Sequence, residues 1–138
     1  MKLAADANVL LSAVIGGRAC VAMGHPQVEE LLTTATVYAE VEEYAVELGR
    51  KRGIASDTLM LAVASLPISI VGGEVYRRSM AGARRQIGRR DPDDVELLAL
   101  AMHFKIPLWS NDDDFLNCGV TRLTTAELLK MLGVVSTR

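Results

Sequence analysis

The chain has 138 residues, of which 50% are apolar, 23% charged and 4% aromatic. This is the composition of a compact domain able to bury roughly two thirds of its unfolded surface, which excludes disorder and any need for a disulfide or metal scaffold. Fifteen basic and seventeen acidic side chains leave a formal charge of −2, so there is no global positive field and nucleic acid would have to be held locally.

A single domain over residues 1–138 is expected. Lys2–Asp6 reads as a short buried strand, followed by a helix in which Asn8 is the expected cap and Val9, Leu10, Ala13 and Val14 recur at helical spacing. Gly16-Gly17 ends it. A short helix or turn over Arg18–Met23 leads to Gly24-His25-Pro26, and Val28–Thr33 is expected as a strand. Thr36 then offers an N-cap before the apolar stripe Val37, Tyr38, Val41, Tyr44, Ala45 and Leu48, a helix ending near Gly49 or Gly53 whose other face carries Glu40, Glu42, Glu43 and Glu47. Ser56 or Asp57 caps a further helix through Leu66. Pro67 stops it, and Ile68–Val71, flanked by Gly72-Gly73, reads as a strand.

Glu74 to Ile87 is expected to be one helix. Residues seven apart share a helical face, so Arg77/Arg84 and Arg78/Arg85 would form a basic stripe, extended by Arg89 and Arg90, suited to phosphate or simply a solvated face. Asp91-Pro92-Asp93-Asp94 opens a helix through about His103, Ile106–Ser110 is a strand, Asn111–Asp114 a turn and Thr124–Leu132 a capped helix. Strands alternating with helices imply an α/β fold, a mostly parallel sheet with helices on both faces.

Cys20 and Cys118 have no metal-binding spacing, and each reads as a small buried apolar side chain. Asp6 stands where a secretion signal would have its apolar core, so a cytoplasmic protein is expected. The longest uncharged stretch, Thr58–Gly73, is too short to span a membrane and is interrupted by Pro67.

Six of the eight aspartates, Asp91, Asp93, Asp94, Asp112, Asp113 and Asp114, fall between residues 91 and 114. In open α/β sheets, functional groups gather beyond the carboxyl ends of the strands. Asp6, Asp94 and Asp112 have that address, and Glu40 faces away from the apolar stripe of its helix. Carboxylates brought together from separate elements raise one another's pKa unless a cation neutralises them. An all-oxygen set favours Mg²⁺ or Mn²⁺, which would polarise a phosphodiester and lower the pKa of a water. Asp91, Asp93 and Asp94 also suit a helix N-terminus electrostatically, Asp112–Asp114 suits a solvated turn, and Glu43 competes with Glu40. Leu59, Met60, Val63 and Met80 form an apolar surplus, read either as core or as a partner surface.

Four segments resemble the PIN-domain family of metal-dependent ribonucleases, which includes the VapC-type toxins. They are Asp6-Ala7-Asn8-Val9-Leu10-Leu11-Ser12, Val37-Tyr38-Ala39-Glu40-Val41-Glu42-Glu43-Tyr44, Asp91-Pro92-Asp93-Asp94 with Leu97–Ala101, and Trp109-Ser110-Asn111-Asp112-Asp113-Asp114-Phe115. The resemblance implies metal ligation and catalysis by Asp6, Glu40, Asp94 and Asp112, with Asn8, Glu43, Asp91, Ser110 and Asp114 auxiliary. It also implies endonucleolytic cleavage of RNA to 5′-phosphate and 3′-hydroxyl ends, commonly a homodimer, and an antitoxin partner if the chain is a toxin. A PIN-like binding module without turnover is the alternative. A receiver-type phosphoacceptor would need a lysine after a late strand, whereas Lys105 precedes one. A haloacid-dehalogenase-like phosphatase would need an aspartate where Asn8 stands.

Overall fold

The computed structural model describes residues 1–88 and 91–134. In chain order the elements are β1 (Lys2–Ala5), α1 (Ala7–Val14), α2 (Arg18–Met23), β2 (Glu30–Thr34), α3 (Ala35–Arg52), α4 (Ser56–Ala64) and β3 (Ile68–Val71). There follow α5 (Gly73–Tyr76), a 3₁₀ turn (Arg77–Ser79), α6 (Met80–Ile87), α7 (Pro92–Phe104), β4 (Leu108–Trp109), a second 3₁₀ turn (Asp113–Phe115), β5 (Arg122–Leu123) and α8 (Thr125–Met131).

The described strands form one five-stranded sheet in the order β3-β2-β1-β4-β5, and every neighbouring pair is parallel. Leu3 aligns with Leu31 and Ala4 with Leu108, so β1 is central and buried on both faces. With right-handed crossovers, α1 to α4 lie on one face while the return from β3 to β4 carries α5 to α7 across the other. Accordingly, α7 packs on β1 and β2 as well as on α5 and α6. Trp109, Tyr76, Phe115, Leu3, Leu10 and Leu98 are among the fully buried side chains that fill the two layers.

Local chemistry shifts several boundaries. Asp6, not Asn8, caps α1: its backbone is extended and its carboxylate accepts the Val9 N–H. Thr34, not Thr36, caps α3 in the same way, accepting from Val37 N–H, so the helix starts directly at the end of β2 (Glu30–Thr34, two residues later than the expected start). Gly53 closes α3 at φ 67° in the left-handed region open to glycine. Gly49 lets α4 close on α3, because a Cβ there would lie 2.5 Å from Leu59 Cδ1. The cap before α4 is Ala55, and β4 is shorter than expected. The short strand β5, absent from the hydropathy pattern, pairs with β4 at Leu108–Arg122 and Trp109–Leu123.

The expected single helix from Glu74 to Ile87 is broken. Tyr76 leaves helical geometry at φ −106° and ψ 12°, its ring buried and its hydroxyl donating to Glu96 Oε1 at 3.3 Å. Anchoring that ring to α7 forces the tighter turn at Arg77–Ser79, so Arg77 and Arg78 do not continue the face of Arg84 and Arg85. Arg89 and Arg90 lie outside the described residues. Cys118 is buried as expected, whereas Cys20 is exposed on the outer side of α2. Leu59 and Val63 are core residues and Met80 packs against the core, while Met60 is half-buried. No helix among the described residues is long and apolar enough to cross a membrane.

Candidate functional site

The strand order reverses direction at β1, whose two neighbours lead to opposite halves of the sheet, and a crevice opens there beyond the carboxyl ends of β1 and β4. A cleft of about 280 Å³ occupies this position, lined by Asp6, Ala7, Asn8, Val37, Glu40, Tyr44, Asp94, Leu97 and Asp112. Four carboxylates therefore reach one cleft from four places in the chain: the end of β1, the middle of α3, the first turn of α7 and the loop after β4. None of the described side chains lining it is cationic.

Asp6 lies deepest, at 7% exposure. Its Oδ1 accepts the Val9 N–H at 3.1 Å and its Oδ2 accepts the buried Ser110 hydroxyl. Ser110 in turn accepts the Asp112 N–H at 3.0 Å. A single hydroxyl thus ties the acid after β1 to the loop after β4. Burial raises the Asp6 pKa, opposed by the Ser110 and Val9 hydrogen bonds.

Asp94 sits half-buried in the first turn of α7, and burial, reinforced by the charges of Asp91, Asp112, Asp6 and Glu40, pushes its pKa up to about 6. Burial raises Glu40 as well, reinforced by Asp93, while a hydrogen bond from Tyr44 opposes the rise. Asp112 caps the second 3₁₀ turn by accepting the Asp114 N–H at 2.8 Å. The loop is braced from below by Arg122, a nearly buried side chain of β5 whose Nη1 donates to the Asp112 carbonyl at 3.2 Å and pairs with Asp113 at 3.5 Å.

The auxiliary positions separate. Asn8 is exposed and lines the cleft, whereas Glu43 points to a different groove with Glu47 and Arg50. Asp91 caps α7, its Oδ1 accepting the Asp93 N–H at 2.9 Å. Asp114 is exposed beyond the Asp112 cap and outside the cleft lining. Asp93, which suits the helix N-terminus, is half-buried in the first turn of α7, where burial raises its pKa and its charge raises that of Glu40.

Arg84 lines a neighbouring groove with Thr36, Asp93 and Glu96; Arg77 and Arg85 are exposed and line neither hollow. Sequence reasoning missed Tyr44, assigned to the apolar stripe but 43% exposed in the cleft. The signal was available, since Tyr44 follows Glu40 by four residues and must share its face. Arg122 and Glu96, whose Oε2 accepts the Thr36 hydroxyl at 2.6 Å, carried no such signal.

The donor set suits a hard cation: it is all oxygen, mutually repulsive and free of lining cations. Among the described residues, no three acidic, histidine or cysteine side chains stand close enough to form a ready-made metal cage. Mg²⁺ retains several waters and needs few protein carboxylates, so an open arrangement of this kind fits it better than a closed cage would.

Residues 5–133 match the PIN domain family. The fold is similar to that of PAE2754 from Pyrobaculum aerophilum, at 15% identity and a TM-score of 0.72 over 98% of this chain and 97% of that one. A toxin–antitoxin complex from Klebsiella pneumoniae contains a chain 16% identical, with a TM-score of 0.66 over 89% of this chain and 97% of that one. VapBC2 from Rickettsia felis, bound to a DNA fragment from its promoter, gives 12% identity and a TM-score of 0.60 over 90% and 98%. No curated protein sequence matches. The match runs through the sheet and through all four cleft acids, and the chain belongs to the PIN domain family.

Proposed function

We propose that this protein is an endoribonuclease that hydrolyses RNA phosphodiester bonds with Mg²⁺ or Mn²⁺, and that it is the toxin of a toxin–antitoxin pair. The observation that carries the nuclease reading is the convergence of Asp6, Glu40, Asp94 and Asp112 on one cleft, with Asp94 pushed up to about 6. These four residues would hold the cation, which when bound supplies charge stabilisation at the phosphoryl oxygens and a lowered pKa for water.

The chain's own groups do the rest. The Ser110 hydroxyl and the Val9 amide fix the Asp6 carboxylate. Tyr44 donates to Glu40, and Arg122 holds the carbonyl of Asp112, so three of the acids have oriented supports. Asn8 offers an exposed amide to a phosphoryl oxygen, while Val37 and Leu97 form the apolar part of the cleft wall. Arg84 stands in the adjoining groove as a phosphate contact.

The test is cleavage of a mixed single-stranded RNA pool with Mg²⁺ or Mn²⁺, with chelator, and by Asp6→Asn and Asp94→Asn. Metal-dependent cleavage lost in both variants is expected; undiminished cleavage under chelation refutes the metal role. The toxin reading is supported by the fold likeness to chains from toxin–antitoxin complexes. It is tested by growth arrest on induced expression, relieved by Asp94→Asn and by a small protein encoded beside this one. A homodimer is part of the same proposal, and light scattering decides it.

A further inference from the structure

We propose that a single RNA strand lies along α3, from the Arg84 groove across the carboxylate cleft to Tyr44, on whose ring an unpaired base next to the scissile phosphate stacks. This rests on the nuclease reading and adds to it the path of the strand and the residue that receives the base.

Thr36, Glu40 and Tyr44 follow one another at four-residue intervals, placing them on one face of α3 at steps of about 6 Å. Thr36 lines the groove of about 450 Å³ that also holds Arg84, Met80 and Pro92, whereas Glu40 and Tyr44 line the cleft. Asp93 lines the groove and its charge acts on Glu40 of the cleft, so the two hollows meet at that pair. Together they form one track along the helix with the carboxylates in its middle.

The two ends of the track differ in chemistry. Tyr44 presents an aromatic ring that is 43% exposed, and its hydroxyl is engaged by Glu40. The core contacts of α3 are made by Val37, Val41, Ala45 and Gly49, so packing does not require an aromatic at position 44. A ring held by one end at the mouth of a phosphodiester cleft is a stacking platform, and stacking needs an unpaired base. At the other end Arg84 is exposed and makes no ion pair or hydrogen bond among the described residues, although Asp93 and Glu96 line the same groove. Its guanidinium is available for phosphate, while Met80 and Pro92 give the groove apolar surface. Elsewhere along the track the carboxylates repel phosphate, which confines the backbone to Arg84 and to the metal position.

The test measures binding, not turnover. In the Asp94→Asn background with Mg²⁺, a short single-stranded RNA carrying 2-aminopurine is titrated by fluorescence at several salt concentrations. Tyr44→Ala should weaken binding by about five- to 150-fold, and Tyr44→Phe and Tyr44→Trp should stay close to the parent, because the ring does the stacking. Arg84→Ala should lower the slope of log K against log salt by about 1, which Tyr44→Ala leaves unchanged. Annealing a complementary strand should remove the dependence on Tyr44.

Unchanged affinity in Tyr44→Ala, a Tyr44→Phe defect as large as that of Tyr44→Ala, an unchanged salt slope in Arg84→Ala, or no saturable binding by the parent overturns the inference. If the unsubstituted protein binds RNA with this pattern yet cleaves none, only the nuclease reading falls.

Discussion

Removing one acid from the cleft should make the metal-free protein more stable. Asp94 is the acid whose raised pKa is largest in consequence, pushed up to about 6 by burial and then by Asp91, Asp112, Asp6 and Glu40. Relative to an ordinary aspartate near pH 4, that displacement corresponds to about 3 kcal/mol of differential interaction between its two protonation states. Asp94 is only half-buried, so solvent screening reduces the usable figure to about 1–2 kcal/mol.

The sign follows from proton linkage. Between pH 4 and 6 the folded state binds more protons than the unfolded one, so stability falls as pH rises through that interval, and the full penalty stands above it. Asp94→Asn cannot ionise and avoids the penalty. In chelator at pH 7.5 the variant should melt about 3–8 °C above the unsubstituted protein, and at pH 4 the gain should vanish. Differential scanning calorimetry at both pH values is the assay. Added Mg²⁺ should raise the midpoint of the unsubstituted protein more than that of the variant. A variant less stable than the parent at pH 7.5, or a gain of equal size at pH 4, would refute the account of the cleft as a self-repelling set of carboxylates.

Three further outcomes follow from other parts of the structure. Ser110→Ala should cost about 1.5–3 kcal/mol in urea unfolding, because Asp6 loses a donor and the Asp112 N–H an acceptor in a buried position; a cost below 0.5 kcal/mol would mean that the hydroxyl does not bridge the two strand ends. Gly49→Ala should destabilise by about 1–3 kcal/mol despite alanine's better helix propensity, since the added methyl meets Leu59 at 2.5 Å and the Ile54 carbonyl at 2.9 Å; increased stability would show that α4 shifts without cost. On α4 itself, Leu59→Ala should cost about 2–5 kcal/mol and Leu61→Ala less than about 0.5 kcal/mol, as the first is 3% and the second 69% exposed; equal costs in denaturant titrations would refute the assignment of the helix faces.

Much of the architecture was legible because strands and helices announce themselves locally. The β1 run, the α3 stripe, the Ile68–Val71 strand and the Asp91-Pro92 helix start are patterns of adjacent residues, and they placed Asp6, Glu40, Asp94 and Asp112 at strand ends or helix faces. The errors lie where two elements compete for one residue. Thr36 has the chemistry of a cap, but Thr34 lies at the end of β2 and accepts the Val37 N–H, leaving the Thr36 hydroxyl to Glu96 across the interface with α7. Arg77 and Arg78 follow a helical pattern, yet the buried ring of Tyr76 bends the chain just before them.

The sequence by itself determined the α/β alternation, the acids available to a hard cation and their order along the chain, because each depends on residue type and short-range spacing. Tertiary structure alone decided which acids meet. Four positions between residues 6 and 112 become neighbours only because parallel pairing places β1 between β2 and β4, and only that crossing aligns Ser110 with Asp6, a contact 104 residues apart. It also brought the exposed ring of Tyr44, whose place on the Glu40 face the four-residue spacing already implied, to the mouth of the acidic cleft.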